Sequence, residues 1–139
     1  VYLGQGQTAQ VLRNICYKVV EQDKENKTKD WDEITKLIKR IFFITLKKPM
    51  FNEARGSLVM KYKQADIDSE LDISLTGRGL QQILLILSYL YWHKNSLLLV
   101  DEPDAHLEIL RQKQVYEILS LDYQVFKICQ RNKQIVESL

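Results

Sequence analysis

Leu97-Leu98-Leu99-Val100-Asp101-Glu102-Pro103-Asp104-Ala105-His106-Leu107-Glu108 is the stretch on which the fold turns. Its first four residues form a short, continuous apolar run that stops at two carboxylates and a proline. Apolar at every position and bounded in this way, the run reads as a strand covered on both faces, as in parallel sheets. Pro103 has no N–H for a ladder hydrogen bond, so the strand ends there. Asp101, Glu102, Asp104 and Glu108 place four carboxylates within eight residues. The first two sit at the carboxyl end of the strand, where open α/β sheets bind ligands. Adjacent carboxylates repel unless a cation or donors intervene. Mg²⁺ with a nucleotide phosphate would supply that cation, because Mg²⁺ takes one or two carboxylates plus phosphate and water. The competing reading of these residues is a strand that ends in an acidic solvent loop.

One helix upstream lies Leu75-Thr76-Gly77-Arg78-Gly79-Leu80-Gln81-Gln82. Two glycines ahead of a helix can leave backbone N–H groups exposed as an anion nest, helped by the positive end of the helix dipole. Arg78 adds a donor and Thr76 a hydroxyl. Alone, the string is equally a strand-to-helix turn that needs glycine. The helix that follows, to about Trp92, is apolar on every face over Ile83 to Leu87, which implies burial on most sides.

Further outward, Gln7 to Glu21 carries Val11, Leu12, Ile15, Cys16, Val19 and Val20 at helical spacing, with Thr8 as its N-cap. Gln22 to Lys29 is polar throughout and reads as an exposed loop. Asp30 and Glu33 form a start signal for a second helix. That helix has Ile34, Leu37, Ile38, Ile41 and Phe42 on one face, Lys36, Lys39 and Arg40 on the other, and Pro49 at its end. Leu58 to Tyr62 reads as a strand, and Leu71, Ile73 and Leu75 alternate with Asp72 and Ser74 as a second. Ala105 to Ser120 reads as a helix with Leu107, Leu110, Val115, Ile118 and Leu119 inward. The tail, with Leu121, Val125, Ile128 and Cys129, reads as helical.

The composition narrows the field. The chain has 139 residues, 45% hydrophobic and 27% charged, which excludes low-complexity disorder and collagen. Only 5 Gly and 2 Pro disfavour an all-β sandwich, which needs many turns. A net charge of +2 gives no argument for a nucleic-acid or membrane surface. Cys16 and Cys129 lack metal-ligand spacing and read as buried or free thiols in a reducing, cytoplasmic compartment. No apolar run is long enough to cross a bilayer.

Together the two strings resemble the carboxyl half of an ABC-type ATPase head. They are most similar to the SMC-like and OLD-like AAA ATPases, which carry Asp-Glu-Pro-x-Ala-His-Leu after the Walker B strand. The resemblance is best from Asp72 to about Leu119. It implies an α/β fold: a P-loop NTPase three-layer sheet with flanking helices, present here in part. It also implies ATP and Mg²⁺ as cofactors. Asp101 would be the Walker B aspartate holding Mg²⁺, and Glu102 the catalytic glutamate that orients the attacking water. Thr76, Gly77, Arg78, Gly79 and Gln81 would be the signature loop, meeting ATP held by the opposite subunit of a homodimer. Asp104, His106 and Glu108 would belong to the D-loop at that interface.

The departures are as informative. The family's signature is Leu-Ser-Gly-Gly-Gln; here Thr76 replaces Ser and Arg78 the second Gly. No Gly-Lys-Ser/Thr string exists, and Gly4-Gln5-Gly6-Gln7-Thr8 reads as a helix entry. The family's switch histidine is missing where Gln130-Arg131-Asn132-Lys133 stands. These points lead to one expected domain over residues 1–139, helical over 1–50, with the motifs in 51–119 and a tail over 120–139. Starting at Val1, the chain is expected to be cut from a larger ATPase domain and, alone, to bind ATP weakly or not at all. The alternatives are a degenerate, non-catalytic interaction or dimerisation module, and an ATP-gated nucleic-acid processing or defence protein. For the last, the only residue-level support is the basic face of Lys36, Lys39, Arg40, Lys47 and Lys48, which reads equally as a solvated helix face. His93, after Tyr91-Trp92, reads as a surface or helix-capping residue.

Overall fold

The computed structural model describes residues 5–65, 67–94, 98–101, 106–122 and 126–129. They form two compact units, Val1–Lys94 and Asn95–Leu139, each taken by itself below.

In the first unit, helix α1 (Gln5–Asn26) packs against α2 (Asp30–Phe42) and α3 (Arg78–Trp92). Leu12, Cys16 and Val19 of α1, Trp31, Ile34, Ile38 and Ile41 of α2, and Ile83, Leu84 and Leu87 of α3 are all but fully buried. The helical spacings read from the sequence are therefore the core-facing stripes, and Lys36, Lys39 and Arg40 are exposed as expected. Of the expected α2 face, Leu37 and Phe42 are only half-buried. Cys16 Sγ lies 3.3 Å from Ser88 Oγ across the α1–α3 seam. Burial pushes the thiol up to about 12, against the smaller opposing effect of Ser88, so it stays protonated.

The helix boundaries differ from the expected ones. Thr8 lies inside α1 and is not its N-cap, and Gln22 to Asn26 continue the helix instead of forming a loop. Gln, Lys and Glu are good helix formers, so a polar run need not break a helix whose inner face is already packed. The Asp30-x-x-Glu33 signal does not operate as a capping box either. Asp30 is buried and pairs with Lys94 at 2.8 Å, while Glu33 pairs with Lys36 on the surface. The cap comes from the preceding helix: the Asp23 carboxylate accepts the Asp30 N–H at 2.9 Å and the Trp31 N–H at 2.8 Å. Two orphan donors of α2 are thereby satisfied by one side chain of α1.

Partial burial acts to raise the Asp23 pKa, but hydrogen bonds from Thr28, Trp31 and Asp30 outweigh it and hold the carboxyl below its usual range. A depressed folded-state pKa stabilises the fold above the unfolded value, about 3.9, and that contribution is lost as pH falls through the folded value. Asp23→Ala is expected to cost about 1–2 kcal/mol at pH 7. Urea melts of both proteins should converge as the pH drops below the ordinary aspartate range. A pH-independent difference would show that charge at Asp23 is irrelevant.

Helix α2 ends at Phe43, not at Pro49. Phe43 adopts φ 58°, and its N–H returns to the Lys39 carbonyl at 3.0 Å. Seven short strands appear in the described residues. In this unit, β1 (Ile44–Leu46), β4 (Lys61–Gln64) and β5 (Leu71–Asp72) form an antiparallel sheet in the order β1-β4-β5. β2 (Met50–Asn52) pairs with β3 (Ser57–Val59). The expected Leu58–Tyr62 strand is thus split at Met60. β1 and β2 went unforeseen because an apolar helical period runs without pause into the aromatic and β-branched Phe43, Ile44 and Thr45. The alternation Leu71–Leu75 also stops short. Asp72 accepts both the Ser74 N–H and its hydroxyl, turning Ile73–Leu75 into a 3₁₀ turn and leaving Leu75 exposed.

In the second unit, β6 (Leu98–Asp101) pairs in parallel with β7 (Phe126–Cys129), and α4 (Ile109–Asp122) connects them. The parallel strand is as read from the sequence, one residue later; Leu97 lies outside the described residues. Helix α4 starts four residues later than expected, and Leu110 is exposed while Val115, Tyr116 and Ile118 are buried. The tail is not helical at 126–129: Phe126 and Ile128 flank Lys127 at strand period, and β6 requires a parallel neighbour. Residues 130–139 lie outside the described set. No described helix is long and apolar enough to cross a membrane.

Candidate functional site

The loop expected to carry chemistry in the first unit lies between the 3₁₀ turn and α3. The Thr76 hydroxyl donates to the Ile73 carbonyl at 2.7 Å. The Gln81 side-chain amide donates to the Thr76 carbonyl at 3.0 Å and reaches those of Ile73 and Ser74 at 3.4 Å. Both side chains are therefore turned inward, and they brace the loop from beneath. Gly77 is the N-cap of α3 in extended conformation, and it offers no side-chain cap. Helix geometry then leaves the N–H groups of Arg78, Gly79 and Leu80 without intrahelical acceptors. Gly77 and Arg78 are exposed, whereas Gly79 sits buried in the first helical turn.

A Cβ added at Gly77 would meet nothing within 4 Å, and its φ of −63° is open to any residue. So glycine is not required here by backbone strain or by crowding within the chain. Its absence of a side chain keeps the mouth of the α3 N-terminus clear. That geometry suits close approach of an anion such as a phosphate.

Two residues outside both motif strings fix this loop. Arg13 of α1 donates to Asp72 at 2.6 Å, with the guanidinium largely buried. Burial tends to raise the Asp72 pKa, but the hydrogen bonds from Ser74 and the Arg13 charge bring it below the usual value. The pair ties the start of the 3₁₀ turn to α1, so the loop is anchored at both ends. No local pattern reveals such a contact, because its partners stand 59 residues apart.

In the second unit, Asp101 is the last residue of β6 and lies at its carboxyl end, opposite Cys129 in the ladder. Glu102 and Asp104 lie outside the described residues. His106 and Glu108 are exposed. The Glu108 carbonyl accepts the N–H groups of Arg111 and Gln112, and the Gln112 amide reaches the Leu107 carbonyl, so Glu108 marks the entry to α4. Among the described residues, no group of three or more His, Cys, Asp or Glu could hold a metal ion. Mg²⁺ does not need one, since phosphate and water fill most of its positions. His93 is the C-cap of α3 and stacks on Tyr89 and Trp92, with ring centroids 4.7 and 4.2 Å away.

Residues 15–136 match the family model described as "AAA domain, putative AbiEii toxin, Type IV TA system". The chain belongs to this AAA-domain family. A solved structure, described as "Structural biochemistry of ATP-driven dimerization and DNA stimulated activation of SMC ATPases", matches with a TM-score of 0.52. The match covers 77% of this chain and 71% of that one at 18% identity, so the likeness is one of fold. No curated protein matches the chain. The α/β, P-loop NTPase-like fold of this AAA domain is thus established.

Proposed function

We propose that this AAA domain works as part of an ABC/SMC-like ATPase that binds and hydrolyses ATP with Mg²⁺. In this reading Asp101 holds Mg²⁺ and Glu102 orients the attacking water. Thr76, Gly77, Arg78, Gly79 and Gln81 act as a signature loop on ATP bound by a second copy, and Asp104, His106 and Glu108 belong to the facing D-loop. In this reading residues 1–139 supply one partial ATPase domain. The observation that carries the reading is the braced loop with an open Gly77 at the α3 N-terminus. It leaves Gly77 and Arg78 exposed where a phosphate brought from outside could reach them. The likeness to an SMC ATPase described for ATP-driven dimerisation supports a dimer.

When bound, Mg²⁺ would neutralise charge developing on the transferred phosphoryl group; catalysis otherwise rests on positioning. The protein's share is to hold the loop rigid through Gln81, Thr76 and the Arg13–Asp72 pair. A second reading, a non-catalytic dimerisation module, is favoured by the absence of any Gly-Lys-Ser/Thr string in the sequence. Glu102→Gln in the full-length protein separates the two, as argued below.

A further inference from the structure

Arg13 meets Asp72 with half of a fork. In an arginine the Nε–H and one Nη2–H lie along the same edge of the planar guanidinium, spaced to meet both oxygens of a carboxylate. Here Nη2 donates to Asp72 Oδ1 at 2.6 Å, while among the described residues the buried Nε has no hydrogen-bond partner. The same Oδ1 also takes the Ser74 N–H at 2.9 Å and the Ser74 hydroxyl at 2.6 Å. Oδ2 accepts none of these three bonds. An orphaned donor thus stands next to a carboxylate with an oxygen to spare, on a side chain only 15% exposed. A buried N–H without an acceptor is costly, so fold stability alone does not account for the arrangement.

A soft rotation separates half a fork from a whole one. The χ2 torsion of Asp is broad, so its carboxylate can turn Oδ2 towards Nε at small cost. The turn that hangs on Asp72 is coupled to that rotation, because Asp72 caps Ile73–Leu75 and both Ser74 bonds end on its oxygen. Ile73 is fully buried and its N–H is fixed on the Met60 carbonyl at 3.0 Å, so it is the pivot. Beyond it the packing is open: Leu75 is 67% exposed, and Ser74, Gly77 and Arg78 are exposed as well. Helix α1 is the fixed side, since Leu12 and Cys16, which flank Arg13, are fully buried. Closing the fork therefore draws the segment leading to the Gly77 loop towards α1.

The geometry points to Arg13 as a positioning residue that closes a two-bond fork on Asp72 when the Gly77 loop takes a phosphate, which rests on the reading of that loop given above. Lysine at position 13 can keep the single bond seen here but has no planar fork. On that reading ATP is held by the second copy, so the loop acts on the chemical step more than on first binding. In the full-length protein Arg13→Lys should keep its urea midpoint yet lose about tenfold or more in kcat for ATP, with KM changed less than about twofold. Asp72→Asn, whose amide nitrogen cannot accept, should lose about as much. The double variant should lose no more than either alone, because the fork acts as one unit. A merely structural pair predicts instead that turnover follows stability and that Arg13→Lys behaves as wild type. A second readout leaves the pair intact. In Glu102→Gln protein the Arg13 Nε–H proton resonance, assigned from its loss in Arg13→Lys, should move downfield when ATP and Mg²⁺ are added. Wild-type kcat in Arg13→Lys, or an Nε–H resonance that ATP does not shift, overturns the fork and leaves the reading of the loop standing. If wild type neither binds nor turns over ATP, that reading fails and the fork falls with it.

Discussion

Glu102→Gln is expected to reduce ATP turnover by about 10²–10⁴-fold in the full-length protein while leaving nucleotide binding in place. The substitution keeps size and hydrogen-bonding capacity but removes the charge that would hold and polarise the attacking water. Binding contacts through phosphate and Mg²⁺ do not depend on that charge. ATP should therefore accumulate on the protein, and the ATP-bound dimer should persist in size-exclusion chromatography. Single-turnover kinetics with filter-bound ATP would measure both effects. If wild type and variant turn over ATP equally, or neither does and no ATP-dependent dimer forms, the non-catalytic module is the correct account. Alterations at Gly77 follow a different route. Gly77→Ala adds a Cβ that meets nothing within 4 Å, so turnover lost beyond the N-cap cost of alanine would come from narrowing the open mouth of α3.

Trp31→Ala should be the most damaging single change to the first unit, costing about 3–5 kcal/mol. Trp31 is 2% exposed and sits at the start of α2, facing the same core as Ile34, Ile38 and Ile41. Its removal leaves a large cavity next to the Asp23 cap, where two elements already share one carboxylate. The thermal midpoint should fall by on the order of 15 °C or more. Phe43→Ala is the control: an exposed ring at a left-handed position packs on little, and its loss should change stability by less than about 0.5 kcal/mol. Equal losses for the two variants would contradict the core described here.

The parts of the site legible in the sequence were those with local signatures. An apolar run halted by Asp101-Glu102-Pro103 announces a parallel strand, and Thr76-Gly77 before an apolar helix announces a loop at a helix N-terminus. Both stand where they were expected. The Arg13–Asp72 anchor and the Asp23 cap had no such signature. Each joins residues set apart in the chain, through a carboxylate that also serves its own neighbours, Thr28 for Asp23 and Ser74 for Asp72.

The same distinction runs through the fold. Periodicity alone determined the buried stripes of α1, α2 and α3, because an amphipathic helix has one face to hide wherever it docks. The two motif strings, through the family they resemble, pointed to the α/β, P-loop NTPase-like class. Where α1 ends, whether Ile44 begins a strand, and whether Phe126–Cys129 is helix or strand were decided only by tertiary structure. In each case the local preferences are nearly balanced. A hydrogen-bonding partner from elsewhere in the chain, Lys61–Gln64 for β1 and Leu98–Asp101 for β7, supplied the difference.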